Sequence, residues 1–587
     1  MWRYIVGLLA TVGALTLMAF AGVFALVSSS PFTGKSLPKS MVLSLDLRNV
    51  PPESSASDLL SGGLFRSARD LTHVLELLWQ AADDPRIVGL FVETGDNQAG
   101  LARVQELRQA IARIRGKGKF AIGFAEGFGG TGSHFADYYL ASSLEQIWLQ
   151  PSGSFSVTGL AVETPFLKGG LDKLGVRVEG GKRLEFKSAP DSFTETSYTG
   201  PARANLQQLV DSLYGQFVDD VARDRRMPAA RVRQLVDSAP FASERARQDG
   251  LVDKVGYRSD AMDEVWRRAG TGPELVTLAD YAASDSRPKP RGDVVALVRV
   301  SGAISSGSGG IGPLDDDALA SSDDVIEALQ AASQAKEVRA IVLRIDSPGG
   351  TYPAADALAQ GVTRARANGK PVVVSMGDVA ASGGYLAAIA ADVIVAEPAT
   401  ITGSIGVFGL WPVAADLLDS LGVKVEQIGV GANAGMYSYF RPPTAAQRAA
   451  VNRELDGIYA DFTRQVGEQR KLDARRLDAA ARGRVFTGVD ARQAGLVDEL
   501  GGLALAISIA KAKAGIDEIR PVELRRFPAD SGRFQRLLER VLQIAGIDQT
   551  RSPAIRAPRE VRETLARFGL VARPGNVRLP PMPPLWH

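Results

Sequence analysis

The chain has 587 residues, too many for a single hydrophobic core, and this length predicts two or three domains. Its 68 basic and 66 acidic residues leave a formal charge of +2, which gives no reason to expect nucleic acid as a partner. The absence of cysteine excludes disulfides, thiol nucleophiles and thiolate metal sites, and the widely spaced histidines make a poor metal site: His73, His134 and His587.

The first predicted element is a membrane-spanning helix at residues 4–27. The stretch from Tyr4 to Val27 is uncharged and mostly apolar. At 1.5 Å per residue such a helix reaches about 36 Å, enough to cross a bilayer core of about 30 Å. A cleaved signal peptide usually has a shorter apolar region, although the small residues Ala19 and Ala21 leave that alternative open. The pattern favours an uncleaved anchor, and both interpretations place the bulk of the chain outside the cytoplasm.

The rest of the chain is a tandem duplication, with a first copy at residues 41–280 and a second at 293–524. The segment LGVRVE from Leu174 returns as LGVKVE from Leu421, 247 residues later, and other matches follow in the same order. A repeat of this length is far longer than a solenoid unit and indicates a duplicated domain. The polar, proline-containing linker SDSRPKPRGD separates the copies. No role is assigned to the tail at residues 525–587.

Each copy alternates helical segments with short apolar strands. The first copy contains MVLSLDL, IVGLFVE and KFAIGFA, and the second contains VVALVRV, AIVLRID and PVVVSM. Continuous apolar runs between helices predict a parallel sheet that is covered on both faces. Right-handed crossovers between parallel strands then give an α/β layered fold.

The candidate nucleophile is Ser382, between the strand PVVVSM and the helix-like segment GYLAAIAA. A strand–turn–helix junction exposes a side chain at the sheet edge and directs helix amides towards it. Upstream, DSPGG (Asp346 to Gly350) ends the strand AIVLRI, and its turn could expose N–H groups able to hold an oxyanion. A simple tight turn remains the alternative for each motif.

A serine nucleophile needs a base, and the second copy contains no histidine. Lysine is the other choice if burial disfavours its charged form. Lys187, in LEFKSAP, follows a strand-like stretch of the first copy, and Ala434 stands at its place in the second. One complete Ser–Lys site per chain is therefore predicted where the copies meet.

The first copy lacks an intact serine turn. Depending on how the copies are aligned, the residue that matches the serine of the second copy is Thr131, Ser133 or Phe135. Ser133 is followed by His134, so a Ser–His pair in the first copy is a second possibility.

Taken together, SPGG, ASGGYLAA and TGSIGVFG, preceded by FKSA in the first copy, resemble peptidase family S49 in its long, duplicated form, the signal peptide peptidase A or protease IV type. The resemblance covers about residues 41–525 and the membrane segment. It implies tandem crotonase/ClpP-like ββα superhelix domains. It also implies these roles: Ser382 as nucleophile, Lys187 as general base, Ser404 as the serine that positions the lysine, and the amides of Gly383 and Gly349 as the oxyanion hole.

The resemblance further implies a membrane-anchored serine endopeptidase that degrades signal peptide remnants and other apolar peptides. It implies no cofactor, a homotetramer, and a single pass through the inner membrane with the catalytic domains on the periplasmic side. Two alternatives stay open: a crotonase-fold acyl-CoA enzyme and an inert membrane scaffold. The anchor argues against the first, and the presence of both Ser382 and Lys187 argues against the second.

Overall fold

The computed structural model describes residues 36–53, 70–95, 99–129, 135–284, 286–288, 292–307 and 319–528. The predicted membrane segment at 4–27, the candidates Thr131, Ser133 and His134, and the tail from 529 onwards lie outside the described residues. Within the ranges given, no helix is long and apolar enough to cross a bilayer.

The first copy is built on a six-stranded parallel sheet with strand order β8-β4-β3-β2-β1-β9. The described residues of this copy form the strands β1 Met41–Leu47, β2 Ile87–Thr94, β3 Phe120–Ala125, β4 Gln146–Leu149, β5 Ser154–Phe155, β6 Arg177–Arg183, β7 Phe241–Ala242, β8 Lys254–Val255 and β9 Glu274–Thr277. Its helices are α1 Leu71–Asp83, α2 Leu101–Gly116, α3 Phe135–Ser142, α4 Lys168–Lys173, α5 Asp191–Thr194, α6 Gly200–Asp224, α7 Ala229–Ser238, α8 Ser243–Gln248, α9 Arg258–Ala269 and α10 Leu278–Ala283.

The second copy repeats this plan in an eight-stranded sheet that is parallel except where β18 pairs with β16. Its strands are β10 Asp293–Ser301, β11 Ala303–Ser305, β12 Leu319–Ser321, β13 Val338–Ser347, β14 Val372–Ala381, β15 Val393–Ala396, β16 Ile401–Gly403, β17 Val407–Val413, β18 Val485–Thr487, β19 Glu499–Leu500 and β20 Val522–Phe527. Its helices are α11 Ser322–Gln334, α12 Tyr352–Ala367, α13 Gly383–Ala388, α14 Ala415–Ser420, α15 Ala445–Arg470, α16 Ala474–Ala480, α17 Gly488–Gln493 and α18 Leu503–Lys513.

The two sheets show the same neighbour relations, which confirms the duplicated mixed α/β architecture. The order β4-β3-β2-β1-β9 in the first copy corresponds to β15-β14-β13-β10-β20 in the second. The central strands are buried along nearly their whole length because helices cover both faces. The last strand continues to Phe527, past the boundary placed at 524.

The two copies contact each other directly within the chain. Strand β6 of the first copy pairs antiparallel with β17 of the second, from Val407 opposite Arg183 to Val413 opposite Arg177. A fully buried Arg344 on β13 also bonds two carboxylates of the first copy, Glu53 and Glu106. The relative placement of the copies is therefore set by both a shared strand pair and a buried ion cluster.

Candidate active site

Ser382 occupies the single residue between β14 and α13, as the strand–turn–helix pattern predicted. Its backbone has φ 54° and ψ −117°, a region that side-chain-bearing residues rarely adopt. Two hydrogen bonds hold this conformation: the Ser382 N–H donates to the Gly403 carbonyl at 2.9 Å, and its carbonyl accepts from the Leu386 N–H at 2.9 Å. Such strained positions cluster at functional sites.

Lys187 reaches this serine from the other copy, 195 residues earlier in the chain. Its Nζ lies 3.1 Å from the Ser382 Oγ, and 2.9 Å and 2.8 Å from the carbonyl and hydroxyl oxygens of Ser404. The residue is 2% exposed. Burial disfavours the charged ammonium and lowers the pKa of Lys187 to about 7. A neutral amine is therefore accessible near neutral pH.

Ser404 lies between β16 and β17 in the left-handed region, with φ 52°. Its N–H donates to the Arg484 carbonyl at 2.6 Å, which holds the turn. Both of its oxygens then face the amine of Lys187. The turn thus restricts where the lysine nitrogen can lie.

Two glycines of the second copy make room for the lysine segment. A Cβ on Gly483 would lie 2.4 Å from the Lys187 backbone nitrogen, and a Cβ on Gly406 would lie 2.5 Å from the Arg183 carbonyl oxygen. A real Cβ atom essentially never makes non-bonded contacts that short, so any larger residue would displace the lysine segment. The first copy has Ser238 at the place of Gly483.

The same segment is fixed from both sides by side chains. Arg482 forms two bonds to the Glu185 carboxylate, at 2.8 and 3.1 Å. The guanidinium of Arg484 lies 3.8 Å from the centre of the Phe186 ring, within the range of a cation–π contact. The Phe186 N–H also donates to the Arg482 carbonyl at 3.2 Å. These contacts secure the residues directly before Lys187 against the second copy.

The two glycines predicted to form an oxyanion hole lie beside the serine. Gly349 has φ 112°, and a Cβ there would come within 2.9 Å of both the Gly383 nitrogen and the Ser382 Cβ. The Gly383 N–H belongs to the first turn of α13, where no intrahelical acceptor exists. The Gly349 N–H, in contrast, donates to the buried Ser347 Oγ at 3.2 Å. Gly349 would have to exchange this bond for one to an oxyanion.

All five predicted site residues thus converge, whereas the Ser133–His134 alternative lies outside the described residues. The sequence did not point to the residues that secure the lysine: Glu185, Gly406, Arg482, Gly483 and Arg484. The two copies differ at Glu185, Arg482, Gly483 and Arg484, which is a weak signal, whereas Gly406 has Gly159 at its place in the first copy. Chemically, a serine on a strained backbone, beside a buried amine and the Gly383 amide at the start of a helix, suits acyl transfer, because nucleophile, base and an oxyanion donor are adjacent.

Comparison with known proteins agrees with this chemistry. The model of peptidase family S49 matches residues 128–271 and 364–517, one stretch in each copy. The chain is 31% identical to Protease 4 of Haemophilus influenzae over 454 residues, which is 75% of this chain and 72% of that protein. It is 29% identical to the chloroplastic serine protease SPPA of Arabidopsis thaliana over 521 residues, covering 87% and 75% of the two chains. Protease 4 of Salmonella typhi is 29% identical over 506 residues, or 80% and 78%.

The chain therefore belongs to peptidase family S49, and it is a serine peptidase. The match of the family to each copy agrees with the internal duplication seen in the two sheets.

Proposed function

We propose that this peptidase works through a Ser–Lys dyad, with Ser382 as the nucleophile and Lys187 as the general base. The observation that carries the proposal is the 3.1 Å separation of the Lys187 Nζ from the Ser382 Oγ. Neutral Lys187 takes the hydroxyl proton while Ser382 attacks the peptide carbonyl. The oxyanion binds the amides of Gly383 and Gly349. Lys187 then gives its proton to the leaving amine, and water hydrolyses the acyl-enzyme.

Ser404 has a supporting role in this proposal. Its two oxygens accept hydrogen bonds from the lysine amine and orient the nitrogen lone pair towards Ser382. A crotonase-type reaction on an acyl-CoA would use the oxyanion amides but would leave the buried lysine without a task. An inert scaffold would leave both the strain at Ser382 and the burial of Lys187 unexplained.

The substrates proposed are signal peptide remnants and other apolar peptides. A relative from Enterococcus faecium has the name "Putative signal peptide peptidase SppA". The apolar stretch at 4–27 would anchor the chain in the inner membrane, with the crotonase/ClpP-like repeats on the periplasmic side. Such an anchor would hold the site beside peptides left in the bilayer. Full membrane association after deletion of residues 1–35 would contradict the anchor.

The activity is expected to depend on pH with a half-maximum near pH 7. Because Lys187 must be neutral to accept a proton, kcat/KM should fall about tenfold per pH unit below that point and level off above it. The measurement is hydrolysis of an apolar peptide amide by the purified full-length chain from pH 5 to 9. Lys187→Arg, which cannot lose its charge, should be inactive throughout. A flat profile in the wild type would rule out this base.

We also propose that copies of the chain associate head to tail into a homotetramer. The segment 421–430 of the second copy corresponds in sequence to the region of β6 in the first copy. Strand β6 is paired with β17, whereas the corresponding segment 421–430 has exposed apolar side chains: Leu421, Val423, Val425, Ile428 and Val430. The match to β17 in the first copy is 160–166, which belongs to no strand. Pairing 424–430 of one chain with 160–166 of the next would repeat the contact between β6 and β17. A repeated head-to-tail contact closes into a ring when its rotation allows.

Replacing exposed apolar residues of this segment by charged ones is therefore expected to dissociate the assembly. The double variant Ile428→Asp with Val430→Asp should run as a monomer in size-exclusion chromatography with light scattering, because both side chains would be buried between chains. Ile519→Asp is the matched control, since Ile519 is equally apolar and 90% exposed but lies outside this segment. A monomeric wild type, or a double variant of unchanged mass, would contradict the proposal.

A further inference from the structure

The pairing of β13 with β14 is interrupted immediately before both active-site loops. Ile345 pairs with Met376, and the next pair is Ser347 with Ala380. Three residues of β14, 377–379, therefore stand opposite the single residue Asp346. A bulge of this kind bends its strand and redirects the side chains that follow. Here the strand that follows leads to Ser382, and the residues after Asp346 form the SPGG loop.

The side chain of Asp346 fills this bulge. Its Oδ1 accepts from the Val379 N–H at 2.9 Å, and a Cβ on Gly377 would lie 3.0 Å from its own Cβ. The Asp346 carbonyl accepts from the Gly302 N–H at 2.9 Å, which ties the same residue to β10. One carboxylate thus connects the end of β13 with the strand that leads to Ser382.

The first copy braces the bulge from outside. Asp378 accepts hydrogen bonds from the Arg103 backbone N–H at 3.0 Å and from its Nε, in the first turn of α2. A Cβ on Gly100 would lie 2.2 Å from the Asp378 Cγ, so the helix end approaches as closely as glycine permits. A carboxylate is also favoured at a helix N-terminus by the helix dipole. The bulge is therefore held by Asp346 on one side and by α2 on the other.

We propose that Asp346 is a positioning residue, whose carboxylate sets the spacing between the oxyanion loop 347–350 and the Ser382 turn. The inference rests on the proposed role of Ser382. Displacement of reacting groups by about 1 Å is enough to cost about 10²-fold in rate. The bond to Val379 needs an acceptor and no charge. Burial and the carboxylates of Asp378 and Glu53 raise the pKa of Asp346, so the uncharged amide of Asn is its conservative replacement.

The test compares Asp346→Ala and Asp346→Asn on an apolar peptide ester. Asp346→Ala is expected to lower kcat by about 30- to 100-fold with KM changed less than about twofold, because the groups that bind the peptide remain while the reacting groups shift. Asp346→Asn should keep kcat within about threefold of the wild type and leave the pH profile unchanged. Glu93→Ala is the matched control: Glu93 lies one residue before the end of the equivalent strand β2 of the first copy, where it bonds the exposed Arg258, and its loss should not change kcat.

Two outcomes would overturn the proposal while Ser382→Ala stays inactive: a wild-type kcat in Asp346→Ala, or equal losses in the Ala and Asn variants. If Asp346→Ala does not fold, the proposal is tested with Asp378→Ala, for which we expect kcat to fall about tenfold at unchanged KM. A wild-type kcat in that variant would also overturn the proposal. Activity in Ser382→Ala would instead refute the dyad itself.

Discussion

Replacement of Ser382 or Lys187 by Ala is expected to reduce kcat/KM for peptide hydrolysis by at least about 10⁴-fold, in line with losses in other serine peptidases. Neither residue can act without the other, because the hydroxyl needs a base and the amine needs a nucleophile to activate. The double variant should therefore be no slower than the worse single variant, with a residual rate from the oxyanion amides alone. The measurement is a double-mutant cycle with an apolar peptide amide at pH 8.

Thermal unfolding distinguishes this chemical loss from a folding defect. Lys187 has a folded pKa of about 7, below that of the unfolded lysine, so the unfolded chain binds more protons between these values. The contribution of this group to the free energy of unfolding therefore increases with pH above about 7. At neutral pH the buried lysine still destabilises the folded state. Lys187→Met should be inactive and yet at least as stable as the wild type at pH 7. Additive effects in the cycle, or an active Lys187→Met variant, would refute the dyad.

Replacement of Arg344 by Met is expected to lower the free energy of unfolding by about 3–5 kcal/mol. Arg344 is fully buried and forms four bonds of 2.6–3.0 Å to the carboxylates of Glu53 and Glu106, which are 4% exposed. Without the guanidinium, two carboxylates would remain buried and uncompensated between the copies. Urea denaturation followed by tryptophan fluorescence measures the change.

Two further variants test whether the loss of stability is specific to the buried cluster or common to all ion pairs between the copies. Arg177 and Asp416 also join the copies, at 2.6 Å, but their side chains are 63% and 54% exposed. Arg177→Met should therefore change stability by less than about 1 kcal/mol. Adding Glu53→Gln and Glu106→Gln to Arg344→Met should restore much of the loss, since the uncompensated charges disappear. An unaffected Arg344→Met variant would show that the cluster does not hold the copies together.

The amino-acid order by itself determined the architecture and the chemical inventory. Apolar runs between helical segments predicted the parallel sheets, because a strand that is covered on both faces has apolar side chains at nearly every position. The repeat from Leu174 to Leu421 established the duplication, and the differences between the copies selected Lys187 and Ser382 as parts of one site. These inferences depend on residues that are close in the chain or on comparison of the two copies. Both kinds of information are present in the linear sequence.

Only the tertiary structure decided how the site is assembled, because its contacts join residues about 200–300 positions apart. The pairing of β6 with β17 and the close approach of Gly483 to Lys187 have no periodicity or motif that would reveal them. The same holds for the bulge at 377–379 and its brace by Arg103. The lowered pKa of Lys187 follows from burial. Burial depends on how distant segments pack together, so it cannot be inferred from the sequence around Lys187.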